Sequence, residues 1–361
     1  MHQFSAMDLK ELDYHLPQDR IAQFPSRRRD QSRLLVLRRD GGGMWHGRFR
    51  HLVQWLNPED LVVVNDTKVI QARLWGEREK GGKIEILLCE PIADSGEALP
   101  PVEESGAFKA KTWSCLVRSA GKLRDLTNVC LDGGVVGVLV RDGSSWRISL
   151  EGVEDVGAFL RKYGHVPLPP YVARRADARD GRRYQTVFAR REGAIAAPTA
   201  GLHFNKALLA KLREKGVRVE SVTLQVGVGT FSPVRARVLE EHRMHSEYVE
   251  VGQKCCDAWL KARQRGGRVV AVGTTVVRAL ESAISQEGVL APYRGFTDLF
   301  ITPGYRFKAV DALVTNFHLP RTTLLAMVMA FAGKQPVCEA YQEAVRLGYR
   351  FYSYGDAMFI C

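Results

Sequence analysis

Residues 60–66 read DLVVVND, and residues 268–275 read RVVAVGTT. Both are continuous apolar runs that end in turn residues, the pattern of strands buried on both faces rather than on one. After Gly216 the order continues as strand VRVESVTLQV, helix KCCDAWLKARQRG, strand RVVAVG, helix TTVVRALESAIS, strands TDLFI and ALVTN, and helices TTLLAMVMAFAG and CEAYQEAVRLG. Upstream, AIAAP reads as a strand and NKALLAKLREKG as a helix closed by Gly216. Strand–helix alternation predicts an α/β fold: a mostly parallel sheet with helices on both faces.

Between DLVVVND and this alternation the pattern changes. QARLWGERE and KIEILLCEP flank KGGK, and WSCLVRSAG, LTNVCL, VVGVLVRDG and SSWRISLEG follow, each bounded by Gly, Asp or Ser. Short strands with frequent turn signals predict a small β-barrel. If DLVVVND belongs to the main sheet, the barrel is an insertion. The expected organisation is a discontinuous α/β domain, 1–68 plus 153–361, interrupted by a barrel domain, 69–152. A chain of 361 residues suits two domains, because single cores rarely exceed roughly 250–300 residues. The Pro-, Ser- and Glu-rich stretch 92–111 is expected to be a mobile loop of the barrel.

Charge narrows the function. Fifty-two Lys and Arg against 40 Asp and Glu give a net charge of +12. Such an excess attracts polyanions. Arginines cluster at 27–29 with Arg33, at 174–175, at 179 with 182–183, and at 190–191, near Phe24, Tyr171, Tyr184 and Phe188. Guanidinium groups for phosphates with rings for unstacked bases is the recipe for RNA binding, although any one cluster also suits a solvated face. Seven cysteines lack zinc-ligand spacing, so free thiols in a reducing cytosol and no metal are expected. The N-terminus has no apolar signal-peptide core, and the longest apolar run, 324–332, is too short to cross a membrane. The expectation is a soluble cytoplasmic protein.

Three strand-to-helix junctions are candidate sites. Gly273, Thr274 and Thr275 present helix N-terminal N–H groups suited to a carboxylate or phosphate, or they simply cap the helix. Thr199, Gly201 and His203 in AAPTAGLHFN, and Asn316 and His318 in TNFHLPRTT, occupy equivalent positions. His203 suits a general base, a stacking partner or a packed bystander. Loops that follow strands gather at the carboxyl edge of an α/β sheet, where ligands bind. In GVGTFSPVRARVLEEHRMHSEYVEV, Gly227, Gly229 and Thr230 form a turn, and His242, His245 and Glu247 follow. Two imidazoles and a carboxylate suit proton transfer near neutral pH; a solvated loop fits as well, and a metal site would need a third distant ligand.

Read together, LDYHLPQDRIAQFP, LNPEDLVVVNDTKVIQARL, GHVPLPPYV, AAPTAGLHF, VTLQVGVGTFSPV, HRMHSEYVEV, VVAVGTTVVRALES, LVTNFHLPRTTLL and YRFYSYGDAM resemble the S-adenosylmethionine:tRNA ribosyltransferase-isomerase family of queuosine biosynthesis, nearly end to end. The resemblance implies an α/β domain carrying a barrel. It implies transfer and isomerisation of the ribosyl part of S-adenosylmethionine onto 7-aminomethyl-7-deazaguanine at the wobble position of GUN anticodons. Epoxyqueuosine, adenine and methionine result, with no resident cofactor. A monomer is expected. The base and acid are expected among His242, His245, Glu247 and Asp66. Thr199, Gly201, His203, Gly229, Thr230, Phe231, Gly273, Thr274, Thr275, Arg278, Asn316 and His318 are expected to bind substrate. Departures from the family pattern are Gln225 for a usual His, and Lys68 and Gln71 for Arg and Pro. The rival readings are a non-catalytic RNA-binding protein and an S-adenosylmethionine-dependent RNA methyltransferase, although the chain has no GxGxG-like loop after an N-terminal strand.

Overall fold

The computed structural model describes residues 8–79, 81–101, 107–227, 229, 239–242 and 244–361. In chain order the strands begin with β1 (Arg33–Leu37), β2 (Met44–Arg48), β3 (Leu61–Asn65) and β4 (Thr67–Val69). The barrel strands are β5 (Arg73–Arg78), β6 (Lys83–Ile92), β7 (Thr112–Ser119), β8 (Leu126–Leu131), β9 (Val136–Asp142) and β10 (Ser145–Leu150). Then come α1 (Val156–Tyr163), α2 (Asp180–Arg183), β11 (Arg191–Ala194), α3 (Lys206–Glu214), β12 (Arg218–Leu224), β13 (Glu247–Val251) and α4 (Gln253–Gln264). The chain ends with β14 (Val269–Val272), α5 (Thr274–Ala283), β15 (Tyr293–Thr297), β16 (Ala312–Asn316), α6 (Thr323–Ala332), α7 (Lys334–Arg346) and β17 (Ala357–Ile360).

Nine strands form one sheet in the order β15-β13-β12-β3-β14-β16-β17-β1-β2. The run β12-β3-β14-β16 is parallel, and β17 pairs parallel with β1. Antiparallel pairs lie at the edges, β12 with β13 and β13 with β15 on one side and β1 with β2 on the other, and one lies inside the sheet, β16 with β17. Every residue of β3, β14 and β16 is buried. Leu61 and Val63 pack towards α4 to α7, whereas Val62 and Val64 pack towards α3 and the turn around Phe49. The unbroken hydrophobicity of DLVVVND thus has its cause: both faces are covered.

The inserted barrel closes in the order β10-β7-β6-β5-β8-β9, and all its neighbours are antiparallel. Alternate residues such as Leu74, Ile86, Trp113, Leu139 and Ile148 fill its interior, and Val156, Phe159 and Leu160 of α1 join that core. The 92–111 stretch connects β6 to β7.

Two strand expectations are corrected. TDLFI is not a strand; the paired residues are Tyr293–Thr297, because after Thr297 the backbone turns inward and its carbonyls serve a buried arginine. AIAAP contributes only Ala194 to a strand, β11, which pairs parallel with β4. Among the described residues, no helix is long and apolar enough to cross a membrane.

Candidate active site

A cleft of about 580 Å³, open to solvent, lies at the carboxyl ends of β14 and β16. Thr199, Gly273, Thr274, Thr275, Asn316 and His318 line it, so three of the predicted loops do meet. At its base the chain passes from β14 into α5 through Gly273, whose φ of 98° is open to glycine and strained for other residues. No side chain caps α5. The first-turn N–H groups of a helix without a cap carry partial positive charge towards whatever lies before them, here the cleft. Asn65, at the end of β3, holds Thr275 in place: its Nδ2 donates to Thr275 Oγ1 (3.3 Å) and to the Leu224 carbonyl (2.9 Å).

Asn316 is 2% exposed and bonded on one side only. Its Nδ2 donates to His203 Nε2 (3.2 Å) and to the Tyr352 carbonyl (3.1 Å). Its Oδ1 is buried and has no hydrogen-bond partner among the described residues. A buried acceptor left unpaired costs about 1–3 kcal/mol, so this oxygen is poised to receive an N–H donor.

His203 lies beneath the cleft. It is stacked on Phe49 and bonded through Nδ1 to Ser32 Oγ (2.7 Å). With Nε2 accepting from Asn316, the ring proton sits on Nδ1 and is donated to Ser32. Burial, with Arg350 and Arg29 nearby, pushes its pKa down to about 3. It is therefore a neutral spacer that sets the rotamer of Asn316. Gly201 also stands behind the wall, where a Cβ would meet Phe188 at 2.7 Å and Thr186 at 2.9 Å. His318 does face the cleft. Its Nε2 bonds the Thr315 hydroxyl (2.8 Å), and burial holds its pKa near about 3, so it is neutral.

The predicted acid–base group is only partly gathered. Glu247 forms a buried ion pair with Arg278, and its other oxygen accepts from the Gly227 N–H (3.0 Å). Arg278 also donates to the carbonyls of Leu299 (3.0 Å) and Thr297 (3.2 Å). Both residues are buried and engaged by protein partners, a tie between β13 and α5. His242 is half-buried, edge-on to Phe300, and its pKa is lowered by burial and by His245. His245 is exposed and packs on Gly229, where a Cβ would meet its ring at 2.6 Å. Thr230 and Phe231 lie outside the described residues. Asp66 is buried away from the cleft lining, and its carboxylate accepts from Thr223 (2.7 Å), Arg190 (2.8 Å) and Ser221 (3.1 Å). Among the described residues, no three His, Cys, Asp or Glu side chains gather as a metal-holding group.

The cleft also has a wall that motif reading did not single out as a site: Tyr171, Tyr184, Tyr352 and Ser353. Tyr171 hydrogen-bonds the Ser353 hydroxyl and meets the Tyr352 ring edge-on at 3.8 Å. Tyr352 has a φ of 73°, strained for a bulky residue, and is held there by its N–H to the Phe317 carbonyl (3.0 Å). The one signal for this wall in the sequence was tyrosine beside arginine. Gln225 is buried with its Oε1 accepting from the Thr67 hydroxyl and its Nε2 donating to the Glu192 carbonyl (3.1 Å).

The model of a family described as "Queuosine biosynthesis protein" matches residues 9–360. An S-adenosylmethionine:tRNA ribosyltransferase-isomerase of Pelobacter propionicus is 49% identical over 356 residues, covering 98% of this chain and 100% of the relative. The Geobacter sulfurreducens protein of the same name is also 49% identical, with the same coverage. A crystal structure of S-adenosylmethionine tRNA ribosyltransferase from Thermotoga maritima is similar at a TM-score of 0.54 and 37% identity, covering 97% of this chain and 100% of that one. With a family model spanning nearly the whole chain and relatives of about half-identical sequence over their full length, this chain belongs to the queuosine biosynthesis protein family.

Proposed function

We propose that the chain transfers and isomerises the ribosyl moiety of S-adenosylmethionine onto the aminomethyl group of 7-aminomethyl-7-deazaguanine at the wobble position of GUN-anticodon tRNA. The products are epoxyqueuosine-tRNA, adenine and methionine. The observation that carries this reading is the 49% identity over full length to proteins of that name. S-adenosylmethionine is a consumed co-substrate, and no resident cofactor is required. The protein works as a cytoplasmic monomer.

In this reading the uncapped start of α5 seats the methionine carboxylate, because helix N-terminal N–H groups favour an anion. The free Asn316 Oδ1 takes an N–H donor of the substrate. The tyrosine wall supplies flat apolar surface for a base. The sulfonium acidifies the neighbouring 5′ carbon, a base removes that proton, and the ribose opens as adenine departs with the bonding pair and takes up a proton from an acid. The neutral aminomethyl group then attacks the opened sugar, and methionine leaves as ring closure yields the epoxide-bearing cyclopentane. Of the predicted set, His242 and His245 are the residues without a charged protein partner among the described residues, and burial together with His245 lowers the His242 pKa, so this pair is assigned the proton transfers. Glu247 and Asp66 position other residues.

Incubating the protein with S-adenosylmethionine and precursor-bearing tRNA tests this. Free adenine and methionine are expected. S-adenosylhomocysteine would mean methyl transfer, and absence of turnover with retained RNA affinity would mean a plain binding protein.

A further inference from the structure

A second concavity of about 970 Å³ lies outside the cleft. Five arginines line it, Arg27, Arg33, Arg48, Arg50 and Arg350, with Asp356 as the one carboxylate. Asp356 is 2% exposed and accepts the backbone N–H groups of Arg33 and Arg350, each at 2.8 Å. It also pairs with the Arg350 guanidinium at 3.5 Å. Turned inward in this way, it pins the floor and leaves the outward field to the guanidinium groups.

Three of those groups are preset. Arg33 donates to the Leu347 carbonyl (2.8 Å) and lies 3.7 Å over the Tyr349 ring. Arg48 donates to the Gln31 carbonyl (2.9 Å), and Arg350 to the Phe24 carbonyl (3.1 Å). Each anchor uses a minority of the five N–H donors of the fork, so ordering entropy is spent before a ligand arrives. Arg27 and Arg50 are exposed at the rim. The basic side chains here are all arginine, the residue whose planar fork matches phosphate oxygens. Five such forks spread along a groove suit a repeating anion better than a single one.

The groove adjoins the cleft through one short segment. Arg350 lies in the groove, and Tyr352 and Ser353, two and three residues on, line the cleft. Consecutive Cα atoms are 3.80 Å apart, so Arg350 and Tyr352 are separated by roughly 7 Å at most. A nucleotide whose base enters the cleft therefore carries its flanking phosphates to the groove's edge.

We infer that this groove seats the phosphodiester backbone of the tRNA anticodon arm beside the nucleotide that enters the cleft. The inference rests on the proposed tRNA substrate and assigns the grip to the α/β domain rather than to the barrel.

The test is the double variant R27E/R50E in the full chain, assayed with precursor-bearing tRNA and S-adenosylmethionine at several salt concentrations. The KM for tRNA is expected to rise at least about tenfold at ~0.15 M salt, with the KM for S-adenosylmethionine unchanged. The slope of log(kcat/KM) against log[salt] should flatten by about 1.4, from roughly 0.7 per lost single-strand phosphate contact. K122E/R124E, which makes the same charge change at exposed residues of the barrel, is expected to leave the KM for tRNA at the wild-type value. A wild-type KM for tRNA in R27E/R50E, or an equal rise in both double variants, would overturn the inference. If the wild type consumes no S-adenosylmethionine with this tRNA, the proposed function fails instead. Fluorescence anisotropy on a labelled anticodon stem-loop then reads the groove directly, with loss of affinity confined to R27E/R50E expected and equal affinities overturning it.

Discussion

Replacing Glu247 by Gln is expected to cost stability rather than chemistry. Glu247 is 6% exposed and Arg278 3% exposed, and each is the other's only charged partner in the ion pairs of the described residues. Removing one member of a buried ion pair strands the other charge in a poorly solvating interior, at a cost of about 3–5 kcal/mol. Gln keeps the shape and an acceptor for the Gly227 N–H, so the lower end of that range applies. About 3 kcal/mol lowers the folded-to-unfolded ratio by roughly 160-fold. R278M strands the carboxylate instead and should cost as much. In E247M/R278M no charge is left unpaired, so the double variant should be less destabilised than the two singles added together, by at least about 2 kcal/mol. Urea unfolding followed by circular dichroism gives all four midpoints and slopes. Additive effects, or either single variant within about 1 kcal/mol of wild type, would refute the buried-pair argument. So would a hundredfold loss of turnover in E247Q with stability intact, which would return Glu247 to the acid–base group.

Three further outcomes follow from the same geometry. His203 and His318 sit near about pKa 3 when folded, against ~6.5 when unfolded. The unfolded chain thus binds the extra protons, and the stability these two residues contribute is complete above about pH 6.5 and is lost as pH falls towards 3, by up to about 1.4 kcal/mol per pH unit for each. A thermal midpoint that stays flat from pH 7 to pH 4 would contradict this. Gly273→Ala places a Cβ on a φ of 98°, 3.6 Å from both Ala200 and Thr275 Oγ1. It should cost more than about 1 kcal/mol and raise the KM for S-adenosylmethionine, and an unchanged KM would count against the α5 seat. Gln225→Leu orphans the Thr67 hydroxyl and should destabilise by about 1–3 kcal/mol, whereas Gln225→His should keep turnover within about threefold; the reverse ranking in melting and rate assays would point to a chemical role for the amide.

The legible parts of the site were those built by local geometry. Gly273, Thr274 and Thr275 follow an apolar run and open a helix, and Asn316 and His318 follow another, so their arrival at one sheet edge was readable from strand–helix order. The tyrosine wall was not readable in that way. Tyr171, Tyr184 and Tyr352 come from three separate stretches, and their meeting depends on a bond between Tyr171 and Ser353, 182 residues apart.

The sequence by itself determined the architecture, because hydrophobic period is a local property: residues 61–64 and Val269–Val272 are apolar throughout and lie covered on both faces, while the short, turn-bounded strands after Val69 close into a barrel. Only the tertiary structure decided which polar side chains are open to a ligand. Asp66, His203 and Glu247 are the residue types of general acids and bases, yet each is occupied by distant partners: Thr223 and Arg190, Ser32 and Asn316, and Arg278. Asn316, whose type suggests little chemistry, keeps an unpaired oxygen in the cleft wall. Burial and hydrogen-bond partners set the reactivity of a polar group, and both are supplied across distances that no local pattern encodes.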